Sequence, residues 1–170
     1  ACGNAGLSVV KVARTSSYFS SSATPTTYST LKIKFAGGVA VRGNRLYVAQ
    51  GEEGIGVYNI SEGPVLTRVA TIKNELSDNP SNQYSCWVSA PNDKYVVNAN
   101  RYQGFQFIAV GGTEQNPTFT YRGSKSQNLN YTRYISEEVC AGDRLPYATR
   151  DGLFWIDLSS KDSAPVSDMI

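Results

Sequence analysis

GIGVYNI, residues 54–60, decides how this chain is read. Its first residue is Gly54, and an apolar residue, a variable one, an apolar pair, another variable one and a last apolar residue follow. The chain writes the same phrase three more times: GLSVVKV from Gly6, GFQFIAV from Gly104 and GLFWIDL from Gly152, a period of about 49 residues. Leu7, Ile55, Phe105 and Leu153 are equivalent. So are Val9, Val57, Phe107 and Trp155, and then Val12, Ile60, Val110 and Leu158. Short-range alternation built from β-branched and aromatic residues has the period of a strand. Each copy is therefore expected to be one strand of a repeated β-sheet module.

The flanks of the phrase repeat as well. LYVAQGEEG leads into Gly54, KYVVNANRYQG into Gly104 and LPYATRDG into Gly152, while ACGNAG before Gly6 looks like the tail of the same strand. Turn-forming triplets stand upstream: Arg42-Gly43-Asn44, Pro91-Asn92-Asp93 and Ala141-Gly142-Asp143. Such residues tolerate the backbone angles of tight hairpins. Before the triplets lie VAV from Val39, WVS from Trp87 and ISEEVC from Ile135. After the phrase come TLKIKF from Thr30, TRVATI from Thr67 and TFTYRG from Thr118, and the tail APVSDMI begins a last strand. Pro146 falls inside a second strand, where it removes a ladder donor and predicts an edge, a bulge or a local break. Gly37-Gly38 and Gly111-Gly112 read as turns, since neither has the lysine or helix of a phosphate cradle.

The unit is thus four antiparallel strands on short turns. Four-stranded units of this length characterise propeller blades, whose two faces are covered by neighbouring blades. GEEGIGVYNIS resembles the LVIVD-type repeat of bacterial and archaeal surface β-propellers. RDGLFWIDL is similar to the end of a WD40 blade, with Asp151-Gly152 at the turn and Trp155 in the third strand. The Trp-Asp pair of WD40 proteins is not reproduced, because Ile156 follows Trp155, and a Gly-His signature is impossible without histidine. The LVIVD-type group is the better match, and it implies an all-β chain of about three and a half blades. These are a partial blade over 1–36 and blades over 37–73, 84–123 and 132–170. A β-sandwich with coincidental periodicity is the alternative. Closed rings have about four to eight blades. The expectation is therefore that another chain, a cleaved portion of the same polypeptide or a second copy completes the ring.

Composition narrows the function classes. Sixteen Lys and Arg against fourteen Asp and Glu give a net charge of +2, too even for a nucleic-acid footprint. No apolar run approaches a membrane span. There is no histidine, so the chain alone cannot assemble a Ser-His-Asp or Cys-His site. No metal or cofactor motif is found. Cys2, Cys86 and Cys140 are odd in number and read as small buried hydrophobes, with a Cys86–Cys140 disulfide the lesser alternative. Residues 13–30, ARTSSYFSSSATPTTYST, form a Ser/Thr-rich stretch expected as an exposed loop. Sequons occur at Asn59 and Asn130, and the position of Asn59 in a strand argues against its use.

In propellers, ligands usually meet the rim made by loops between second and third strands and between successive blades. The repeat register puts Glu52 and Glu53, Arg101 and Tyr102, and Arg150 and Asp151 in the first set of loops. Segments 74–83 and 125–131 fall in the second set. Arg and Tyr are favoured interface anchors, whereas an adjacent glutamate pair lacks the defined separation of catalytic carboxylates. The function expected is a non-enzymatic binding or structural domain, secreted or on a cell surface, whose rim meets a protein or glycan partner. The alternatives are a propeller hydrolase or lyase completed by residues outside the chain, and a self-assembling structural subunit.

Overall fold

The computed structural model describes residues 1–11, 26–73, 84–100, 104–125, 134–135, 144–149, 152–159 and 167–169. Within them the chain is all-β, and no helix is long and apolar enough to cross a membrane. Fourteen strands form one two-stranded and three four-stranded antiparallel sheets. The first sheet pairs β1 (Leu7–Lys11) with β2 (Thr26–Leu31). The second is a meander of β3 (Val39–Arg42), β4 (Arg45–Ala49), β5 (Ile55–Asn59) and β6 (Thr67–Ile72). The third repeats it with β7 (Ser85–Ser89), β8 (Tyr95–Asn100), β9 (Gly104–Gly112) and β10 (Pro117–Lys125). The fourth comprises β11 (Tyr134–Ile135), β12 (Arg144–Thr149), β13 (Gly152–Asp157) and β14 (Ser167–Met169).

The sheets pack face to face in chain order. Leu7, Ala36, Leu31 and Ile33 meet Leu46, Val48 and Tyr58 between the first and second sheets. Ala40, Tyr47, Ile55 and Val57 meet Val88, Ala90, Val96 and Ile108 between the second and third. Val97, Phe105 and Phe107 meet Leu145 and Leu158 between the third and fourth. Because strand side chains alternate, each inner sheet supplies one set of positions to the sheet before it and the other set to the sheet after it. Leu7, Ile55 and Phe105 all point to the following sheet and are buried there. Leu153 is their equivalent in the fourth sheet and is 52% exposed, since no described sheet follows it. The first strands β3, β7 and β11 approach one another in succession, and the series of sheets is not closed.

The anchor glycines begin or immediately precede the third strands. Gly54 has φ +83°, and a Cβ there would lie 2.2 Å from the Ile72 carbonyl oxygen of β6. Gly6 has φ +89°, and its Cβ would lie 2.5 Å from the Leu31 carbonyl oxygen of β2. Both positions exclude any side chain, on conformational and on steric grounds.

Several expectations are corrected. The strand after the first copy of the phrase is Thr26–Leu31, not TLKIKF, so residues 26–30 are strand where a loop was expected. The rest of that stretch lies outside the described residues. Gly37-Gly38 is not a turn: Gly37 N–H donates to the Ala49 carbonyl, and Ala49 N–H donates to that of Gly38, both at 2.9 Å. This pair prolongs the β3–β4 ladder and is glycine because β7 presses on it. A Cβ on Gly37 would lie 2.3 Å from the Cys86 carbonyl oxygen, and one on Gly38 2.7 Å from the Trp87 ring. Gly111 is likewise strand, with Gly112 opening the β9–β10 turn. Lys125 closes β10 opposite Phe105 instead of opening a loop. Cys2 is exposed and Cys86 half-buried, so neither is a fully buried hydrophobe. Cys140, Val12, Asn130 and the triplet at 141–143 lie outside the described residues. Pro146 stands opposite Trp155 in an unbroken β12–β13 ladder, so no break or bulge occurs on that side; β11 pairs with Tyr147 and Ala148, and the residues after Ile135 lie outside the described ones.

Candidate functional site

The loop rim expected from the repeat is described at Glu52 and Glu53. These form the turn from β4 to β5, tied by Gln50 N–H to the Gly54 carbonyl at 2.8 Å and Gly54 N–H to the Gly51 carbonyl at 3.2 Å. Gly51 exchanges two backbone hydrogen bonds with Ser85, at 3.1 and 2.9 Å, fastening the turn to the first strand of the next sheet. Glu52 points to solvent. The Glu53 carboxylate faces Lys34 Nζ at 4.0 Å, and Phe35 and Tyr84 pack nearby with ring centroids 5.2 Å apart. The structure thus gathers Lys34, Phe35, Glu53 and Tyr84, of which the repeat singled out only Glu53. Arg101, Tyr102, Arg150 and Asp151 lie outside the described residues, as do 74–83 and 126–131. Asn59 ends β5, and its side-chain carbonyl accepts the Ser61 N–H at 2.7 Å.

A deeper feature stands at the opposite ends of the strands. There the β3–β4 turn at Gly43-Asn44, the β7–β8 turn and the β9–β10 turn surround a cleft of about 320 Å³. Its wall carries Arg42, Arg45, Asn92, Asp93 and Glu114, and Tyr47 and Val110 line it as well. Each turn is held by its own polar groups. The Asn92 side-chain carbonyl accepts the N–H groups of Lys94 and Tyr95 at 2.9 and 3.0 Å. Asn116 N–H donates to Thr113 Oγ1 at 3.1 Å. The turns are then stitched to one another across the sheets. Arg42 Nε donates to Asp93 Oδ1 at 2.7 Å, and Arg45 Nη2 to the Thr113 carbonyl at 2.7 Å.

Tyr47 connects this cleft to the core. Its ring is buried, edge-on to Phe119 at 6.5 Å between centroids. Burial pushes its hydroxyl above the ordinary tyrosine range, while the nearby Arg45 guanidinium pulls the other way. The cleft therefore combines two guanidiniums, two carboxylates, two carboxamides and a phenol around a partly apolar floor. The triplets 42–44 and 91–93 were read for turn geometry alone. The missed signal was opposite charge at equivalent turns of successive units, Arg42 in one and Asp93 in the next.

Buried amides lie in two interfaces: Gln50, with Tyr58, on the face of the second sheet toward the first, and Asn98 with Gln106 between the second and third. Gln50 Nε2 donates to the Tyr58 hydroxyl at 2.8 Å, and Gln50 Oε1 accepts from Arg68 Nη2 at 3.2 Å. Gln50 lies across Gly56, where a Cβ would meet its amide at 2.7 Å. In the third sheet Gln106 stands at the place of Gly56 and accepts from Asn98 Nδ2 at 2.7 Å. These hydrogen bonds help to order the packing of the sheets. No protein-family model matches the sequence, and no curated protein matches it.

Proposed function

We propose that this chain is part of a β-propeller-type module, secreted or surface-associated, that binds a neutral polyhydroxylated ligand of glycan chemistry without transforming it. The propeller reading is supported by four-stranded meanders stacked face to face in chain order, with first strands meeting in succession. Fold alone does not choose a function. The observation that carries the ligand class is the cleft between the turns.

Its volume of about 320 Å³ suits one or two sugar rings. Arg42 and Arg45 stand against Asp93 and Glu114, so the charges around it balance. A ligand of strong net charge would meet a like charge as often as an unlike one. A sugar hydroxyl both donates and accepts, and so matches guanidinium, carboxamide and carboxylate together. The walls are held by cross-sheet bonds before any ligand arrives, which lowers the cost of ordering them.

The test is a titration of the isotopically labelled protein with a panel of neutral oligosaccharides, followed by amide shifts. Saturable shifts at residues 42–47, 92–94 and 113–116 are expected, weakened at least tenfold by Glu114→Ala. Glu114 is exposed and outside the bonds that hold the turns, so that variant stays folded. Shifts confined to residues 34–35, 51–54 and 84–85 would move the site to the opposite rim. An absence of shifts across the panel would remove the glycan reading.

A further inference from the structure

The groups that line the cleft are not equally available to a ligand. Arg42 Nε and Asp93 Oδ1 are bonded to each other at 2.7 Å, and this pair is engaged in joining the two sheets. The Asn92 side-chain carbonyl already accepts two backbone N–H groups, at 2.9 and 3.0 Å, so its NH2 group is the part left for a ligand. Arg45 gives one N–H to the Thr113 carbonyl at 2.7 Å, and a guanidinium has further donors and no acceptor. The Tyr47 phenol stands beside that guanidinium. Because Arg45 can only donate, the phenol proton needs an acceptor from elsewhere. Burial keeps that proton on its oxygen. What remains is a cluster of donors and one lining carboxylate, the exposed Glu114, that is in no ion pair among the described residues.

Beside these donors the floor is apolar. Val110 of β9 stands opposite Phe119 of β10, and Phe119 meets the Tyr47 ring edge-on. Val110 and Tyr47 both line the cleft. A sugar hydroxyl suits the walls. At the floor it brings a further donor into a cluster of donors and leaves the valine facing water. A carbonyl oxygen only accepts, and a methyl group attached to it covers the apolar floor.

We infer that the sugar this cleft selects is an N-acetylated amino sugar. Its acetamido methyl rests on Val110 and the Tyr47 ring, its carbonyl oxygen accepts from Arg45 and Tyr47, and its N–H turns toward Glu114. The inference rests on the glycan reading above and narrows it to one substituent. An acetamido group is uncharged, so the balance of charge in the cleft is kept. A free amino sugar would set an ammonium against the Arg45 guanidinium. A carboxylated sugar would set a second anion against Glu114.

The experiment titrates the isotopically labelled full chain with matched disaccharides and follows amide shifts. Cellobiose is set against N,N′-diacetylchitobiose, and lactose against N-acetyllactosamine, with deacetylated chitobiose as the charged control. The acetylated member of at least one pair is expected to bind about tenfold tighter than its parent, with the largest shifts at Arg45, Tyr47 and Val110. Equal or weaker binding of both acetylated sugars would overturn the inference. Saturable shifts at 42–47 from any unacetylated sugar would then leave the glycan reading standing. Silence of every sugar would remove both. Tighter binding of deacetylated chitobiose would also overturn the inference, because charge would then be what the cleft reads. Tyr47→Phe keeps the ring against Phe119 and removes the hydroxyl alone. It should narrow the preference for the acetylated sugar about fivefold. An equal loss of affinity for both members of a pair would overturn the role given to that hydroxyl, since a merely structural part would lower both alike.

Discussion

Two turns of this molecule have nearly the same backbone and almost no side chain in common. In the turn Cys2–Gly6, Cys2 N–H donates to the Gly6 carbonyl, Ala5 N–H to that of Cys2 and Gly6 N–H to that of Gly3, at 2.8, 3.1 and 3.1 Å. In Gln50–Gly54 the equivalent bonds are 2.8, 3.2 and 3.2 Å. Gly3 bridges to Ala36 as Gly51 bridges to Ser85. Around the shared glycines, however, Cys2, Asn4 and Ala5 stand where the second copy has Gln50, Glu52 and Glu53. Glycines and strand ends fix the turn, and the remaining residues are released to serve the neighbourhood. The neighbourhoods differ: Gln50 reaches into the buried amide set between sheets, while Cys2 is exposed.

The largest effect is expected from the shared glycine. Gly54→Ala places a Cβ in the left-handed region and 2.2 Å from a carbonyl oxygen of a strand held in a four-stranded sheet. Strain and overlap together should cost about 4 kcal/mol. Gly6→Ala meets the same conflict at 2.5 Å in a two-stranded sheet that can yield, and should cost about 2 kcal/mol. Urea unfolding of both variants measures the difference. Equal costs would mean that the end sheet is as constrained as the inner one.

Next comes the residue after the glycine. Ile55→Ala empties a position fully enclosed between two sheets and should cost about 3 kcal/mol. Leu153→Ala, at the equivalent but half-exposed place, should cost less than about 1 kcal/mol. A large loss at Leu153 in the same unfolding assay would show that its face is covered in solution.

Much of this contrast was readable in the sequence, and the reasons for the failures are physical. Period-two alternation around the four glycines located the strand that follows each of them, because the residue next to each glycine is buried wherever a sheet follows. Thr26–Leu31 was not readable: only Leu31 and Ile33 near its end are apolar enough to join the core, and a solvated strand of threonines and serines has the composition of a loop. Its β-branched threonines were the only hint. Gly37-Gly38 was misread because glycine permits both a turn and a close approach, and sequence does not say which the neighbour requires. The cleft escaped because charges at hairpin tips resemble ordinary solvated decoration until two sheets bring Arg42 onto Asp93.

Smaller effects separate the two turns by their side chains. Gln50→Ala leaves the Tyr58 hydroxyl and the Arg68 guanidinium without a shared partner, and should cost about 2 kcal/mol. Cys2→Ala should stay within about 0.5 kcal/mol. Tyr47 gives a pH signature. Its hydroxyl holds its proton more tightly when folded than the unfolded reference of 10.0. Its contribution is therefore constant below pH 10 and declines as pH rises past that value. Tyr47→Phe should remove that part of the alkaline decline, visible as a shallower fall of melting temperature from pH 9 to about 11.

The smallest effect belongs to the rim that the repeat singled out. Glu53 faces Lys34 across 4.0 Å, with the lysine side chain 88% and the glutamate side chain 37% exposed. At that exposure, water and salt screen the pair, and holding two long side chains together offsets what attraction is left. Glu53→Gln and Lys34→Met should each change stability by less than about 0.5 kcal/mol, and their double-mutant cycle should give a coupling near zero. A coupling above about 1 kcal/mol would break the comparison between the turns. It would mean that side chains at the second turn help to fix its geometry, whereas the first turn, with Asn4 and Ala5, reaches the same geometry without them.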